Sequence, residues 1–89
     1  MSAGRRSLAG LTVLLVEHDT PTRDATRLVL ERAGVRVLVG VDGRHALEIL
    51  TVLRPNLVLT DLAMPGVDGV ALIRAVRADA RWASLPVVG

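Results

Sequence analysis

Short apolar runs rich in valine and leucine alternate with stretches of helical periodicity along the chain. The runs occupy residues 11–17 (LTVLLVE), 35–41 (VRVLVGV) and 56–61 (NLVLTD), and residues 85–88 begin a fourth. Continuous apolar runs of this length are typical of strands that are covered on both faces. Strands that alternate with helices form parallel sheets through right-handed crossovers, so the sequence predicts one open α/β sheet.

The segment between the first two runs predicts an amphipathic helix. Thr20 is the expected N-cap, with Pro21 at the first helical position. Gly34 is expected to end the helix, because glycine adopts the left-handed conformation found at many helix C-termini. The apolar residues expected to face the sheet recur at helical spacing. They are Ala25, Leu28, Val29 and Ala33.

A second helix is expected between the second and third strands. The Asp-Gly pair at residues 42–43 opens it, and Pro55 prevents it from continuing toward the third strand. The residues expected on its inward face share an apolar character and a helical spacing. They are Ala46, Ile49, Leu50 and Leu53.

A third helix is expected from Gly69 to about Ala80, with Asp68 as its N-cap. Trp82, the single aromatic residue, is expected to cover the end of this helix. Arginines would point outward, and three apolar residues would face the sheet. These three are Leu72, Ile73 and Val76.

The composition excludes several kinds of site. The 89 residues contain no cysteine, so the chain has no disulfide or thiolate metal site, and all eleven basic residues are arginine, so a lysine-bearing P-loop is excluded. The arginines are scattered and the net charge is only +2, which does not favour direct nucleic-acid binding. The apolar run after residues 5–6 is too short to span a membrane. We expect a flexible tail over residues 1–9, one partial domain over residues 10–89, and a cytoplasmic location.

Carboxylates stand where two of the predicted strands end. Glu17 ends the first strand and Asp61 ends the third, and ligands of open α/β sheets gather at the carboxyl ends of the strands. Two carboxylates that converge there are stable if a cation lies between them or if one takes a proton. Oxygen ligands suit Mg²⁺, and a carboxylate beside a metal can act as the nucleophile in phosphoryl transfer. Asp19 is better explained by a structural role beside the expected cap Thr20, Asp68 as a helix cap, and His45 as a surface or boundary residue.

Three segments together resemble the receiver domain of two-component response regulators, from about Leu11 to the last residue. They are TVLLVEHD, VDGRHALEIL and LVLTDLAMPGVDG, of which the last carries the D-x-x-M-P-x-x-D-G pattern. The resemblance implies a flavodoxin-like parallel sheet in the order 2-1-3-4-5. About four strands and three helices of that fold lie within this sequence, which is therefore expected to be an incomplete receiver domain.

The resemblance also implies a site and its partners. Asp61 would accept a phosphoryl group from a histidine kinase or a phosphotransfer protein. Mg²⁺ would be held by Glu17, Asp61, the backbone carbonyl of Ala63 and the residue at position 18. That residue is His18, where the family normally has aspartate, and imidazole is a poor ligand for Mg²⁺. Such a domain would not be an enzyme beyond self-phosphorylation and autodephosphorylation.

Two other functions remain compatible with the sequence. His18, together with the absence of the family's lysine, also fits a pseudo-receiver that binds proteins without being phosphorylated. A small phosphohydrolase with an aspartyl nucleophile is disfavoured, because Ala63 stands where such enzymes usually carry a second aspartate. Since the family's fifth strand and last helices are not in the sequence, we also expect an exposed sheet edge and self-association through it. No membrane partner is expected.

Overall fold

The computed structural model describes residues 8–60 and 69–89. In these residues four parallel strands form one sheet in the order β2-β1-β3-β4. The strands are β1 (Thr12–Val16), β2 (Arg36–Gly40), β3 (Leu57–Thr60) and β4 (Val87–Val88). The order agrees with the predicted open α/β sheet and with the first four strands of the receiver arrangement.

Three helices connect the strands: α1 (Thr20–Arg32), α2 (Gly43–Val52) and α3 (Gly69–Ala78). Since β2 and β3 lie on opposite sides of β1, right-handed crossovers place α1 on one face of the sheet and α2 and α3 on the other. The main core lies under α2 and α3. It consists of Leu14, Val16, Ala46, Leu50, Val58, Leu72, Val76 and Trp82.

The N-cap of α1 is Asp19, and the prediction of Thr20 is wrong by one residue. The Asp19 carboxylate accepts a hydrogen bond from the Thr22 amide at 3.0 Å and another from the Thr22 hydroxyl. Asp19 has the extended backbone of a cap residue, whereas Thr20 already belongs to the helix. The error arose because aspartate and threonine are both good caps and stand side by side before Pro21.

The predicted inward face of α1 is wrong at three of its four residues, because Ala25 is exposed, Leu28 is 48% exposed and Val29 is 68% exposed. Ala33 is half-buried as predicted, and the other half-buried residues are Arg23, Thr26 and Leu30. Because residues 28–30 are all apolar, the sequence is compatible with two alternative apolar faces of the helix. In the structure the face that contains Leu30 packs toward the sheet. In α2 a similar correction applies to Leu53, which is the C-cap, has an extended backbone and is 44% exposed.

Gly34 ends the turn after α1 with a φ of +90°, in the left-handed region that favours glycine. A Cβ at this position would lie 3.3 Å from the Cα of Ala9, so the N-terminal segment packs closely against the turn. The Gly10 amide donates to the Gly34 carbonyl oxygen at 3.4 Å. Residues 1–7 lie outside the described part of the chain, and the tail boundary at residue 9 stays a prediction.

The connection from α3 to β4 contains a short 3-10 turn, Ala80–Trp82. As predicted, Trp82 covers the end of α3, where only 9% of the residue is exposed and it packs into the core. Helix α3 ends at Ala78 rather than near Ala80, because Asp79 adopts an extended backbone and caps the 3-10 turn. Within residues 8–60 and 69–89, no helix is long and apolar enough to cross a membrane.

Candidate functional site

Glu17 lies at the carboxyl end of β1, between the ends of β2 and β3. Its amide donates to the Gly40 carbonyl oxygen at 3.0 Å, which extends the pairing of β1 with β2 by one residue. Only 7% of Glu17 is exposed. On the other side of β1, Val16 pairs with Thr60, the last residue of β3. The sheet therefore holds a buried carboxylate at the edge where the sequence predicted the site.

The backbone carbonyl and the side-chain carboxylate of Glu17 have different hydrogen-bond partners. The Arg23 guanidinium donates to the Glu17 backbone carbonyl oxygen at 3.0 Å, and it also donates to the Thr20 hydroxyl at 3.2 Å. The Glu17 carboxylate accepts a hydrogen bond at Oε2 from the Asp19 amide at 3.1 Å. Among the described residues no arginine contacts this carboxylate, although a buried carboxylate is stable only when hydrogen bonds or a cation compensate its charge.

His18 stands beside this carboxylate. Its Nδ1 lies 3.6 Å from Oε2 of Glu17, and 48% of the His18 side chain is exposed. The distance is longer than a hydrogen bond. The sequence placed these two residues together as the pair after the first strand, and the structure brings an imidazole, rather than a second carboxylate, next to Glu17.

A cavity of about 200 Å³ opens beside Glu17, between α1 and the ends of β1 and β3. Its lining residues are Leu15, Val16, Glu17, Thr26, Leu59 and Thr60. Thr60 is 3% exposed, and its Oγ1 is buried without a hydrogen-bond partner in the described structure. An unpaired buried hydroxyl costs about 1–3 kcal/mol. Sequence reasoning missed Thr60, for which the available signal was a polar residue at the last position of an apolar strand.

Two predicted site residues, Asp61 and Ala63, lie outside the described residues, as does the predicted cap Asp68. Among the residues that are described, no group of three or more histidine, aspartate or glutamate side chains could hold a metal ion. The structure therefore brings together Glu17 and His18 and leaves the roles of the other predicted ligands as proposals.

The remaining candidate side chains have structural roles. Asp19 caps α1, and the hydrogen bonds from the Thr22 hydroxyl and amide lower the pKa of its carboxyl group. His45 is half-buried in the first turn of α2, where its Nδ1 accepts a hydrogen bond from the Val41 amide at 3.2 Å. Its own amide donates to the cap Asp42 at 2.8 Å.

The parallel α/β sheet agrees with the comparisons to known proteins. The sequence matches the family described as the response regulator receiver domain over residues 13–89. The chain belongs to this family. The match covers all four strands and all three helices of the described fold apart from Thr12, the first residue of β1.

The relatives of this receiver domain include longer regulators. Transcriptional regulatory protein CseB of Streptomyces coelicolor is 42% identical over 76 residues, which cover 85% of this chain and 31% of that protein. An uncharacterized 14.6 kDa protein of Leptolyngbya boryana is 37% identical over 83 residues, or 93% of this chain and 63% of that protein. The receiver domain thus spans about a third of the length of CseB.

Solved structures of receiver domains are similar to this one. The N-terminal domain of a response regulator receiver protein from Methanoculleus marisnigri has a TM-score of 0.84 and 30% identity, over 89% of this chain and 64% of that one. The receiver domain of a sensor histidine kinase from Pseudomonas aeruginosa has a TM-score of 0.82 and 29% identity, over 89% of this chain and 65% of that one. That structure has a magnesium ion coordinated in its active site cleft.

Proposed function

We propose that this receiver domain accepts a phosphoryl group on Asp61 from a phosphohistidine of a histidine kinase or a phosphotransfer protein in the cytoplasm. The observation that carries the proposal is the buried Glu17 carboxylate at the end of β1, in a chain that matches the receiver family over residues 13–89. Strand β3, paired with β1, runs directly into Asp61 in the sequence. The two acidic positions therefore follow neighbouring strands at one edge of the sheet.

The proposed transfer is a displacement at phosphorus. A carboxylate oxygen of Asp61 forms a bond to the phosphorus, the bond from phosphorus to the donor nitrogen breaks, and the nitrogen keeps the electron pair. The product is an acyl phosphate on Asp61 and an unphosphorylated histidine on the donor. Hydrolysis of the acyl phosphate would return Asp61 to its starting state. In this role the domain is a phosphoacceptor of a two-component system rather than an enzyme acting on a separate substrate.

The metal expected from the resemblance is Mg²⁺, with Asp61 and the Ala63 carbonyl as further proposed ligands beside Glu17. Glu17 fits this ion, because its carboxylate is buried and Mg²⁺ prefers oxygen ligands. His18 does not fit, because Mg²⁺ sites favour carboxylates and water over imidazole. The pair that the structure describes at the end of β1 therefore matches Mg²⁺ only in part, and we assign no step of the transfer to this ion.

The position of His18 favours one alternative. A receiver domain that keeps its fold but has lost the phosphorylation step would act as a pseudo-receiver, a protein-binding module. Compared with the aspartate that the family normally has at this position, His18 leaves the pair beside Glu17 with one negative charge fewer. The smaller negative charge weakens the binding of a doubly charged cation. Both readings predict the same fold and differ only in whether Asp61 becomes phosphorylated.

Intact-mass spectrometry after incubation with acetyl phosphate and a divalent cation separates the two readings. If Asp61 accepts a phosphoryl group, the wild-type protein should gain the mass of one phosphoryl group. Hydroxylamine should remove this added mass, and the Asp61→Asn variant should not gain it. The matched control is Asp24→Asn, which removes an exposed carboxylate of α1 and should keep the adduct. An adduct found only in His18→Asp would favour the pseudo-receiver, and an adduct that persists in Asp61→Asn would exclude Asp61 as the acceptor.

We also propose that this 89-residue chain self-associates through β4. In the described structure β4 pairs only with β3, and Val88 on it is 47% exposed. An exposed strand edge is a template for pairing with a second chain, and a lysine on such an edge opposes pairing. Sedimentation velocity should show a concentration-dependent dimer that Val88→Lys weakens. A wild-type monomer at all concentrations would exclude this contact.

A further inference from the structure

A second cavity opens at the amino ends of β3 and β4, at the edge of the sheet opposite to Glu17. Its volume is about 270 Å³, and its wall consists of the end of α2, the segment that enters β3, the 3-10 turn and the loop that enters β4. We propose that this cavity binds a small aromatic carboxylate of the benzoate class. The inference goes beyond the proposed function, because it concerns a different edge of the sheet and does not involve Asp61.

The first support is the charge of the cavity wall. The lining residues in the described part of the chain include two arginines and no acidic residue. Arg81 lies over the Trp82 ring, 4.7 Å from the centroid, and pairs with Asp79, so the charge of Arg81 is already compensated. The Arg54 guanidinium has no hydrogen-bond or ion-pair partner among residues 8–60 and 69–89. An uncompensated guanidinium favours an anion, and a carboxylate matches its geometry.

The second support is that the backbone acceptors of the wall are already paired. Three carbonyl oxygens of the loop that enters β4 lie 2.7–3.5 Å from the guanidinium of Arg77 in α3. They belong to Trp82, Ala83 and Leu85. The Pro86 carbonyl oxygen accepts a hydrogen bond from a β3 amide at 2.9 Å. The loop therefore presents few free acceptors that would repel an anion.

The third support is a set of unpaired donors around the cavity. The Asn56 Oδ1 accepts a hydrogen bond from the Thr12 amide at 2.8 Å, which leaves the side-chain NH₂ group of Asn56 without a partner in the described structure. The Ser84 hydroxyl and the Trp82 indole N–H also make no hydrogen bond among residues 8–60 and 69–89. Trp82 is only 9% exposed, and a buried indole usually has a partner for its N–H. A carboxylate, which only accepts hydrogen bonds, is the matching group.

The rest of the wall is apolar and suits a ring. Leu50 and Pro55 are buried, Leu85 is half-buried, and Trp82 adds an aromatic surface. An apolar cavity of about 150 Å³ can hold benzene, so a cavity of about 270 Å³ has room for one ring and its carboxylate. Small-molecule sites commonly combine such apolar walls with a few polar groups that orient the ligand. These features favour an aromatic carboxylate over a purely polar anion.

The test is titration of the isotope-labelled 89-residue chain with benzoate, followed by nitrogen–proton NMR at constant ionic strength. Trp82 is the single tryptophan, so one indole N–H peak reports on the wall of the cavity. Benzoate should shift this peak saturably in the millimolar range. Benzamide has the same shape without the charge, and Arg54→Gln removes the opposite charge. Each of these two changes should weaken binding by at least about fivefold, because each removes one member of the proposed ion pair.

The matched control is Arg44→Gln, which removes another exposed arginine of α2. Arg44 lines a separate groove between α2 and α3 that Trp82 also borders, so this variant should keep the wild-type affinity for benzoate. An indole peak that benzoate does not shift would overturn the inference, as would equal affinities for benzoate and benzamide or an unchanged affinity in Arg54→Gln. A loss of affinity confined to Arg44→Gln would place the ligand in the groove and would also overturn it. The dispersion of the backbone amide peaks establishes that each variant is folded.

Discussion

Arg77 in α3 donates a hydrogen bond to the carbonyl oxygen of Leu85 at 2.7 Å. The same guanidinium lies 3.5 Å and 3.4 Å from the carbonyl oxygens of Trp82 and Ala83. A single side chain therefore joins the last turn of α3 to the loop that leads into β4. This loop positions the outermost strand of the described sheet and holds Trp82 over the core.

Arg77→Ala should lower the free energy of unfolding by about 1–2 kcal/mol, because it leaves several carbonyl groups without a charged donor. The free energy of unfolding of Arg77→Lys should lie between those of the wild type and Arg77→Ala, because lysine keeps the charge but not the forked donor geometry. Urea unfolding followed by Trp82 fluorescence measures both. Arg74→Ala, an exposed arginine one turn earlier, should change stability by less than about 0.5 kcal/mol. An equal loss in both alanine variants would contradict the assigned role.

Asp19→Ala should destabilise the domain by about 1 kcal/mol, because the Thr22 amide loses its capping acceptor. Asp19→Asn should be close to wild type, since asparagine is also a good cap. Thr20→Ala is the matched control, and it should cost only a few tenths of a kcal/mol, as its hydroxyl accepts one exposed bond from Arg23. Thermal unfolding of the three variants measures the order of their stabilities. A larger loss of stability in Thr20→Ala than in Asp19→Ala would indicate that Thr20 is the N-cap, as predicted from the sequence.

The positions of the strands and the acidic residue at the end of β1 were predictable because each depends on local patterns, whereas the strand order was implied by the resemblance to receiver domains. The apolar run that ends in Glu17 predicts a buried strand, and it also predicts that the carboxylate lies at the carboxyl end of that strand. The orientation of α1 was not predictable in the same way, since Leu28, Val29 and Leu30 satisfy two helical stripes equally well. The sequence marks Thr60 as a polar residue at the end of an apolar strand, but it does not show that the Thr60 hydroxyl is buried without a hydrogen-bond partner among residues 8–60 and 69–89, because burial depends on packing between distant parts of the chain.

The orientation of α1 predicts different costs for neighbouring truncations. Leu30→Ala should lower the free energy of unfolding by about 1–2 kcal/mol, less than a fully buried leucine because Leu30 is half-buried. Val29→Ala removes a side chain that is 68% exposed and should change stability by no more than about 0.5 kcal/mol. Chemical denaturation of the two variants measures this difference. A larger loss for Val29→Ala would mean that the stripe predicted from the sequence faces the sheet in solution.

The ion pair of Asp79 and Arg81 predicts a loss of stability in acid. The Arg81 guanidinium donates to both carboxylate oxygens of Asp79, and the Arg81 amide donates to Oδ1 at 2.8 Å. The side-chain hydrogen bonds from Arg81, followed by the amide bond, lower the pKa of Asp79. Because the folded state holds this proton less tightly, the stabilisation is complete above the ordinary aspartate pKa of about 3.9 and is lost as the pH falls through the lowered pKa.

Asp79→Asn isolates this effect, since asparagine still accepts the Arg81 amide bond but carries no charge. The wild type should be the more stable protein near neutral pH, and the difference should disappear as the pH falls below about 4. Melting temperatures of both proteins across this range measure it, with Asp24→Asn as the control for the loss of one exposed carboxylate on α1. A stability difference that stays constant down to the lowest pH would show that the charge of Asp79 does not contribute to folding.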